Sequence, residues 1–290
     1  MRLLICIDDT DNLDSKGTGS IADEMCEIIE QKGFGKTTFV TRHQLLLHND
    51  IPYTSHNSSM CFEAQINPKR YEELTHTLFN HIKQEAAQGS DPGIAIMEID
   101  GVDGETLLDF GIKAKRMVLT KEYAYKTAEK LGVYLKEAGG TGLGVIGALA
   151  GCGLRFGGND GEVKGPHNQF ATGEIYTVNH LLRSPKINGV LDENLQSLPN
   201  DDLVKITWKP KPVLVKGQGV LIVIPSGEEG VWQTFDKAEM RRFGDERIYK
   251  SICDKYNADV EEEMVEAGER SCLNCRYRRW IEKGFVCIYK

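Results

Sequence analysis

The chain of 290 residues has no apolar stretch approaching the roughly 18 residues of a bilayer span, so no helical membrane segment is expected. The basic-then-apolar opening of a secretory signal is missing as well, which points to a cytoplasmic protein. Positive charge is short: 35 Lys and Arg face 43 Asp and Glu, for a formal net charge of −8. That balance argues against broad nonspecific affinity for nucleic acid, which comes from neutralising phosphates. It leaves room for a local basic groove from Lys113, Lys115 and Arg116, or from Arg276, Arg278 and Arg279. The glycine-rich stretch from Gly139 to Gly153 lacks the Lys-Ser/Thr ending of a P-loop and the strand-linked G-x-G-x-x-G context of a dinucleotide fold. Cysteine is not scarce, with eight residues. In a cytoplasmic chain these read as core residues, metal ligands or thiols rather than disulfides.

What is present is concentrated at the start. Leu3 to Ile7 is a nearly continuous apolar run, the pattern of a strand buried on both faces. It empties into Asp8, Asp9, Thr10 and Asp11, three carboxylates and a hydroxyl in four positions. Hard oxygen ligands of this kind suit Mg²⁺, which usually takes one or two carboxylates together with substrate phosphates. Lys16, Gly17, Thr18, Gly19 and Ser20 follow, and Ser20 is expected to cap an amphipathic helix carrying Ile21, Met25, Ile28 and Ile29, with Asp23 completing a capping box. A helix start offers N–H groups and a positive dipole end to a phosphate. The same acidic segment also satisfies the demands of an ordinary strand-to-helix turn.

Further along, strands are expected over 37–44, 60–67, 93–100 and 116–120, and helices over 68–87 and 121–138, with Pro68 at the first helical position. Strand–helix–strand repetition of this kind indicates an α/β (α+β) chain with a ferredoxin-like layer. A polar loop holding His48, His56 and Asn57 has donors enough to line a ligand site, or to satisfy its own backbone. Gly139 to Gly153 is a glycine-rich lead into a small apolar helix, where Gly142 and Gly144 permit close approach to a phosphate or to a neighbouring element. Short strands after residue 195 mark a candidate boundary, and a helical tail is expected from Lys237. The tail carries Cys253, Cys272, Cys275 and Cys287, a C-x₂-C knuckle plus two thiols that can form a Cys₄ zinc site, an iron–sulfur site or simply a thiol pair.

Three ordered segments resemble the archaeal tRNA-Ile agmatidine synthases. Cys6-Ile-Asp-Asp-Thr-Asp11 is similar to that family's I-D-D-T-D opening, Asn49 to Asn57 to its N-x-N-I-P-W-K-T-R-G-N, and Gly142 to Ala150 to its R-G-L-I-G-A-L-A-A. The resemblance covers roughly the first 160 residues. It implies a kinase-like domain (residues 1–60 and approximately 139–195), a ferredoxin-like domain (60–138) and a separate 195–290 segment with a small β-rich part and a Cys-bearing tail. It also implies ATP and Mg²⁺ as cofactors, cleavage of ATP to activate a tRNA cytidine, and attack by agmatine. Asp8, Asp9 and Asp11 would hold the metal and phosphates. Thr18 and Ser20 would supply the hydroxyl chemistry, and Thr10, Lys16, Gly17, Gly19, His56, Asn57, Gly142 and Gly144 would shape the nucleotide site. The family's Lys-Thr-Arg-Gly is replaced by Thr54-Ser-His-Asn57, two positive charges fewer, and no clear OB-fold is visible after residue 195. A non-catalytic nucleotide- or RNA-binding module and an ATP-dependent enzyme acting on a small molecule are the alternatives.

Overall fold

The computed structural model describes residues 1–12, 14–48, 50–51, 57–165, 169–207, 210–234, 256, 272 and 275, and the backbone of 278–281 and 284–287. The chain forms two compact units, Met1–Lys164 and Gly165–Lys290. The change of unit therefore comes ahead of the composition shift near residue 195.

In the first unit, β1 (Arg2–Asp8) lies between β4 (Ser58–Ile66) and β5 (Gly93–Glu98) and is antiparallel to both. β6 (Tyr134–Glu137) extends the sheet beyond β5, while β2 (Gly35–Thr37) and β3 (Thr41–Gln44) pair with β4, and β7 (Glu162–Val163) with β3. All these pairings are antiparallel. The strand end that carries the acidic cluster is thus not the parallel-sheet crevice that a doubly wound fold would offer.

The alternation of β1 sends its side chains into two cores. Leu3, Ile5 and Ile7 join Ile21, Met25 and Ile29 of α1 (Thr18–Gln31) and Leu74, Leu78 and Ile82 of α2 (Tyr71–Glu85). Leu4 and Cys6 face the other way, toward α3 (Gly104–Ala114), α4 (Lys121–Leu131) and α5 (Gly144–Gly157). The result is a three-layer α/β/α unit, an α+β fold whose central strand is buried on both sides, as its unbroken apolar run requires.

Local signals explain the boundaries. The expected strand over 37–44 is broken into β2 and β3. Pro68 opens a single 3₁₀ turn whose cap is the Asn67 side chain, and α2 follows from Tyr71. The expected helix over 121–138 stops at Leu131, because Gly132 adopts a left-handed conformation (φ 68°) that ends it and lets β6 begin. Segment 116–120 is not a strand but the connection between α3 and α4. Helix α3 was not expected; its signal was Asp103, whose carboxylate accepts from the Thr106 amide at 3.1 Å.

The second unit contains a small mixed sheet. Its strands are β8 (Ile175–Thr177), followed by the single turn α6 (Val178–Leu181), then β9 (Gly189–Leu191), β10 (Leu203–Lys205), β11 (Val213–Val215), β12 (Gln218–Pro225) and β13 (Val231–Thr234). They run in the order β11-β12-β13-β10-β8, with β9 parallel to β12. Leu221 and Val223 point into a core with Val178, Leu181 and Val204, while Val220 and Ile222 meet Val213 and Val215 on the opposite face. Strands β14 (Arg278–Ile281) and β15 (Gly284–Cys287) form an antiparallel hairpin. Most of the helix expected from Lys237 lies outside the described residues. No described helix is long and apolar enough to cross a membrane.

Candidate functional site

At the end of β1, Asp8 continues the face that carries Leu4 and Cys6 and is 7% exposed. Helix α5 lies directly against it. An added Cβ at Gly147 would sit 1.6 Å from Asp8 Oδ2, and one at Gly144 would sit 2.8 Å from the Asp8 carbonyl oxygen, so only glycine allows this approach. Asp9 then turns the chain through a left-handed conformation (φ 53°), which Asp tolerates better than most residues. Thr10 Oγ1 donates to Thr18 Oγ1 at 3.0 Å, and Thr18 Oγ1 donates to Asp11 Oδ1 at 3.0 Å, tying the acidic segment to the first residue of α1.

These carboxylates are electrostatically uneasy. Burial, then the charges of Asp9 and Asp11, hold the Asp8 pKa well above the ordinary range, against a hydrogen bond from the Asp9 amide. Burial, then Asp91 and Asp11, push Asp9 up to about 6. Asp91 was not singled out from sequence. It reaches the site because β5 starts where β1 ends, with Asp8 opposite Gly93; the lone signal was an Asp beside Pro92 and Gly93.

Asp8, Asp9, Asp11 and Thr18 line one end of a cleft that also receives Gly144 and Gly147 from α5. Its other wall is apolar: Leu45, Ile51, Val118, Leu119 and Ile146, with Met117. Met117 and Val118 are 49% and 42% exposed, so part of this apolar wall is open to solvent. Asn57 and Ser58 complete the rim. Asn57 Nδ2 donates to the Leu46 carbonyl at 2.6 Å, and the buried Arg42 donates to Ser58 Oγ at 3.1 Å. Neither α1 nor α5 has a side-chain cap; at the start of α5 the Gly144 amide donates instead to the Asp91 carbonyl at 2.9 Å, so the polar end of the cleft meets two helix starts, of which α5's first N–H is already engaged.

Other expected residues fall elsewhere. Ser20 is not the cap of α1, because the helix begins two residues earlier at Thr18, with Gly17 in the cap position. Asp23 closes no capping box; it pairs with Lys164 at 2.6 Å. Gly19 packs against that Lys164 side chain. Lys16 points away, to Glu24 and Glu85 at 2.6 Å each. Gly142 (φ 71°) serves the turn before α5 and abuts Glu137. His56 lies outside the described residues. In the proposed basic groove, Lys113 pairs with Asp109 and Lys115 with Asp160, so both charges are already matched. Burial opposes ionisation of Asp160, yet Lys115 and His43 outweigh it and hold its pKa at about 2.

In the tail, the Cys275 amide donates to the Cys272 carbonyl at 3.3 Å, a knuckle-like turn; Cys253 lies outside the described residues and Cys287 is described in its backbone alone. A different thiol group emerges in the first unit. Cys6, Cys61 and Cys152, distant in sequence, place their Sγ atoms within 4.8 Å of one another. Sequence spacing gave no sign of it, since the trio is assembled by the β1–β4 ladder and α5.

No family model matches the chain, and no curated protein does. Among solved structures, the chain is similar to a tRNA fluorescent labelling enzyme at 27% identity, over 53% of this chain and 36% of that one, with a TM-score of 0.47. It is similar to the apo form of TiaS, an agmatidine synthetase acting on an isoleucine tRNA, at 24% identity, over 62% and 42%, with a TM-score of 0.48. TiaS in complex with that tRNA and ATP aligns at 24% identity, over 69% and 50%, with a TM-score of 0.49. The chain thus spans half or less of the length of each of these proteins.

Proposed function

We propose that the first unit is a Mg²⁺-dependent, ATP-using phosphoryl- or nucleotidyl-transfer centre, which activates an RNA such as a tRNA cytidine, or a nucleotide-like acceptor, for attack by agmatine or another amine. The observation that carries this reading is the convergence of Asp8, Asp9 and Asp11 with two helix starts at one end of a cleft whose opposite wall is apolar. A nucleoside triphosphate has that same division, with charged oxygens at one end and a flat, weakly polar base at the other.

The donor set fits magnesium: it is oxygen only, and Asp8 and Asp9 are crowded carboxylates that a dication would relieve. When bound, the ion supplies charge neutralisation for the phosphates. The chain's part is positioning and electrostatics, the main sources of catalysis in such transfers. Asp8 and Asp9 would hold the cation, Asp11 fixes the Thr18 hydroxyl at 3.0 Å, and the uncapped start of α1 at Thr18 would face the phosphate oxygens. Leu45, Val118 and Ile146 take the base. In the tail, Cys272 and Cys275 with Cys253 and Cys287 are proposed as a zinc site, checked by metal analysis of the purified protein.

Incubation with ATP and Mg²⁺, with and without cellular RNA, tests the assignment by identifying ADP, or AMP plus pyrophosphate, among the products. Turnover left unchanged in Asp8→Ala and Asp9→Ala would refute it. The matched charges of Lys113 and Lys115 favour one other reading, a nucleotide-sensing module. Its signature is stoichiometric ATP binding without product.

A further inference from the structure

The face of β1 that presents Asp8 carries, two residues earlier, the first member of a group with opposite chemical taste. Cys6 stands directly across the β1–β4 ladder from Cys61, and Cys152 reaches both from α5. All three are fully buried, and their Sγ atoms lie within 4.8 Å of one another. Three thiolates around one zinc, each with a Zn–S bond of about 2.3 Å, stand roughly 4 Å apart, so the spacing needs only slight contraction.

A second observation points to the same spot. Ser59 Oγ is fully buried and has no hydrogen-bond partner among the described residues. An added Cβ at Gly151 would lie 2.3 Å from Cys6 Sγ and 2.4 Å from Ser59 Oγ, so both atoms border one point that glycine leaves open. Buried polar atoms are rarely left unsatisfied without a reason. Apart from one another, the thiols are weakly engaged: Cys6 and Cys152 reach the Ile7 and Ala95 carbonyls only at 4.0 Å.

We propose that Cys6, Cys61 and Cys152 bind a thiophilic d¹⁰ cation, Zn²⁺ foremost, with the Ser59 hydroxyl as fourth ligand of a tetrahedral S₃O set. Binding releases the thiol protons to solvent. Three thiolates and a dication leave one net negative charge, and a cation stands ready to offset it. Arg155 is 6% exposed, its Nη1 has no hydrogen-bond partner among the described residues, and its charge is felt at Cys61. The ion would pin β1, β4 and α5 together just behind Asp8. Because the trio has no solvent exposure, loading belongs to folding rather than to the finished protein. The site is independent of the tail cysteines and of the transfer activity.

The test uses the full chain carrying Cys272→Ser and Cys275→Ser, which removes the tail knuckle. It is unfolded in guanidinium with reductant and chelator, then refolded with Zn²⁺, with Co²⁺ or without metal. The expected result is about one zinc retained per chain after desalting. With Co²⁺, thiolate charge-transfer absorption and the visible bands of a tetrahedral ion should appear. Adding Cys152→Ala should abolish both signals while the far-ultraviolet dichroism stays native, and zinc should raise the melting temperature only when the trio is intact. Should Cys152→Ala fail to fold, Cys61→Ser and the cobalt spectrum of the intact trio decide. A refolded chain without bound metal, an octahedral cobalt spectrum, or zinc content unchanged by both substitutions overturns the proposal.

Discussion

Asp9 joins an uncommon backbone conformation to a carboxyl group whose pKa is near 6. Because its folded pKa lies above the ordinary 3.8, the native chain binds more protons than the unfolded chain between about pH 4 and 6. Stability without metal therefore falls as pH rises through that window, and Asp8, shifted in the same direction, steepens the fall. Asp9→Asn keeps a residue that accepts the left-handed turn and removes the charge. It is expected to raise the metal-free melting temperature at neutral pH, to flatten the pH dependence and to abolish ATP turnover, as thermal scans and product assays would show. Added Mg²⁺ should stabilise the original chain at neutral pH and lose that effect below about pH 6, where Asp9 takes up a proton. A melting temperature insensitive to Mg²⁺ at every pH would count against a cation at these carboxylates. Gly147→Ala probes the contact on Asp8 from the other side. Its methyl has no room, so a loss of about 1–3 kcal/mol of stability, typical of overpacking, should accompany weaker nucleotide binding. Gly139→Ala, where the nearest atom is 3.5 Å away, should be near neutral.

Among the elements, β1, α1, α2 and the glycine-led α5 were legible because each has a local cause: an apolar run, a 3.6-residue stripe, or a proline at a helix start. Lys16 and Ser20 show the limit of that reading. A motif fixes which residues are near one another in sequence but not which way each faces, and the start of α1 at Thr18 turns Lys16 out to Glu24 and Glu85. Lys16→Ala should accordingly leave ATP turnover unchanged and shift stability by no more than about 0.5 kcal/mol. The Met117–Leu119 segment errs in the opposite sense. Its apolar residues mimic a strand, yet they belong to a connection whose side chains wall the cleft. Val118→Ala is expected to raise the KM for ATP about three- to tenfold, from roughly 1 kcal/mol of lost apolar contact, with kcat little changed. An effect confined to kcat would move Val118 from base binding to the chemistry. Asp91 and the buried thiols were illegible for a deeper reason: antiparallel pairing and helix packing, not sequence distance, bring them into place.

For the whole molecule, every described residue that lines the cleft belongs to Met1–Lys164, a unit with two apolar cores. A fragment ending at residue 164 is therefore expected to fold and to bind Mg²⁺–ATP with the affinity of the full chain, measurable by calorimetry. RNA retention, if the second unit supplies it, should be lost from the fragment. A fragment that folds but binds no nucleotide would place part of the site beyond residue 164.

The antiparallel setting of β1 also bears on how the protein is born. The acidic cluster is made ahead of both Gly93, which pairs with Asp8, and Gly147, which closes over it. Until α5 emerges, the carboxylates stand in water as an ordinary acidic stretch, without the burial that raises their pKa. The growing chain thus carries the acidic segment in a solvated form, and translation itself sets the moment at which the cleft can first close around it.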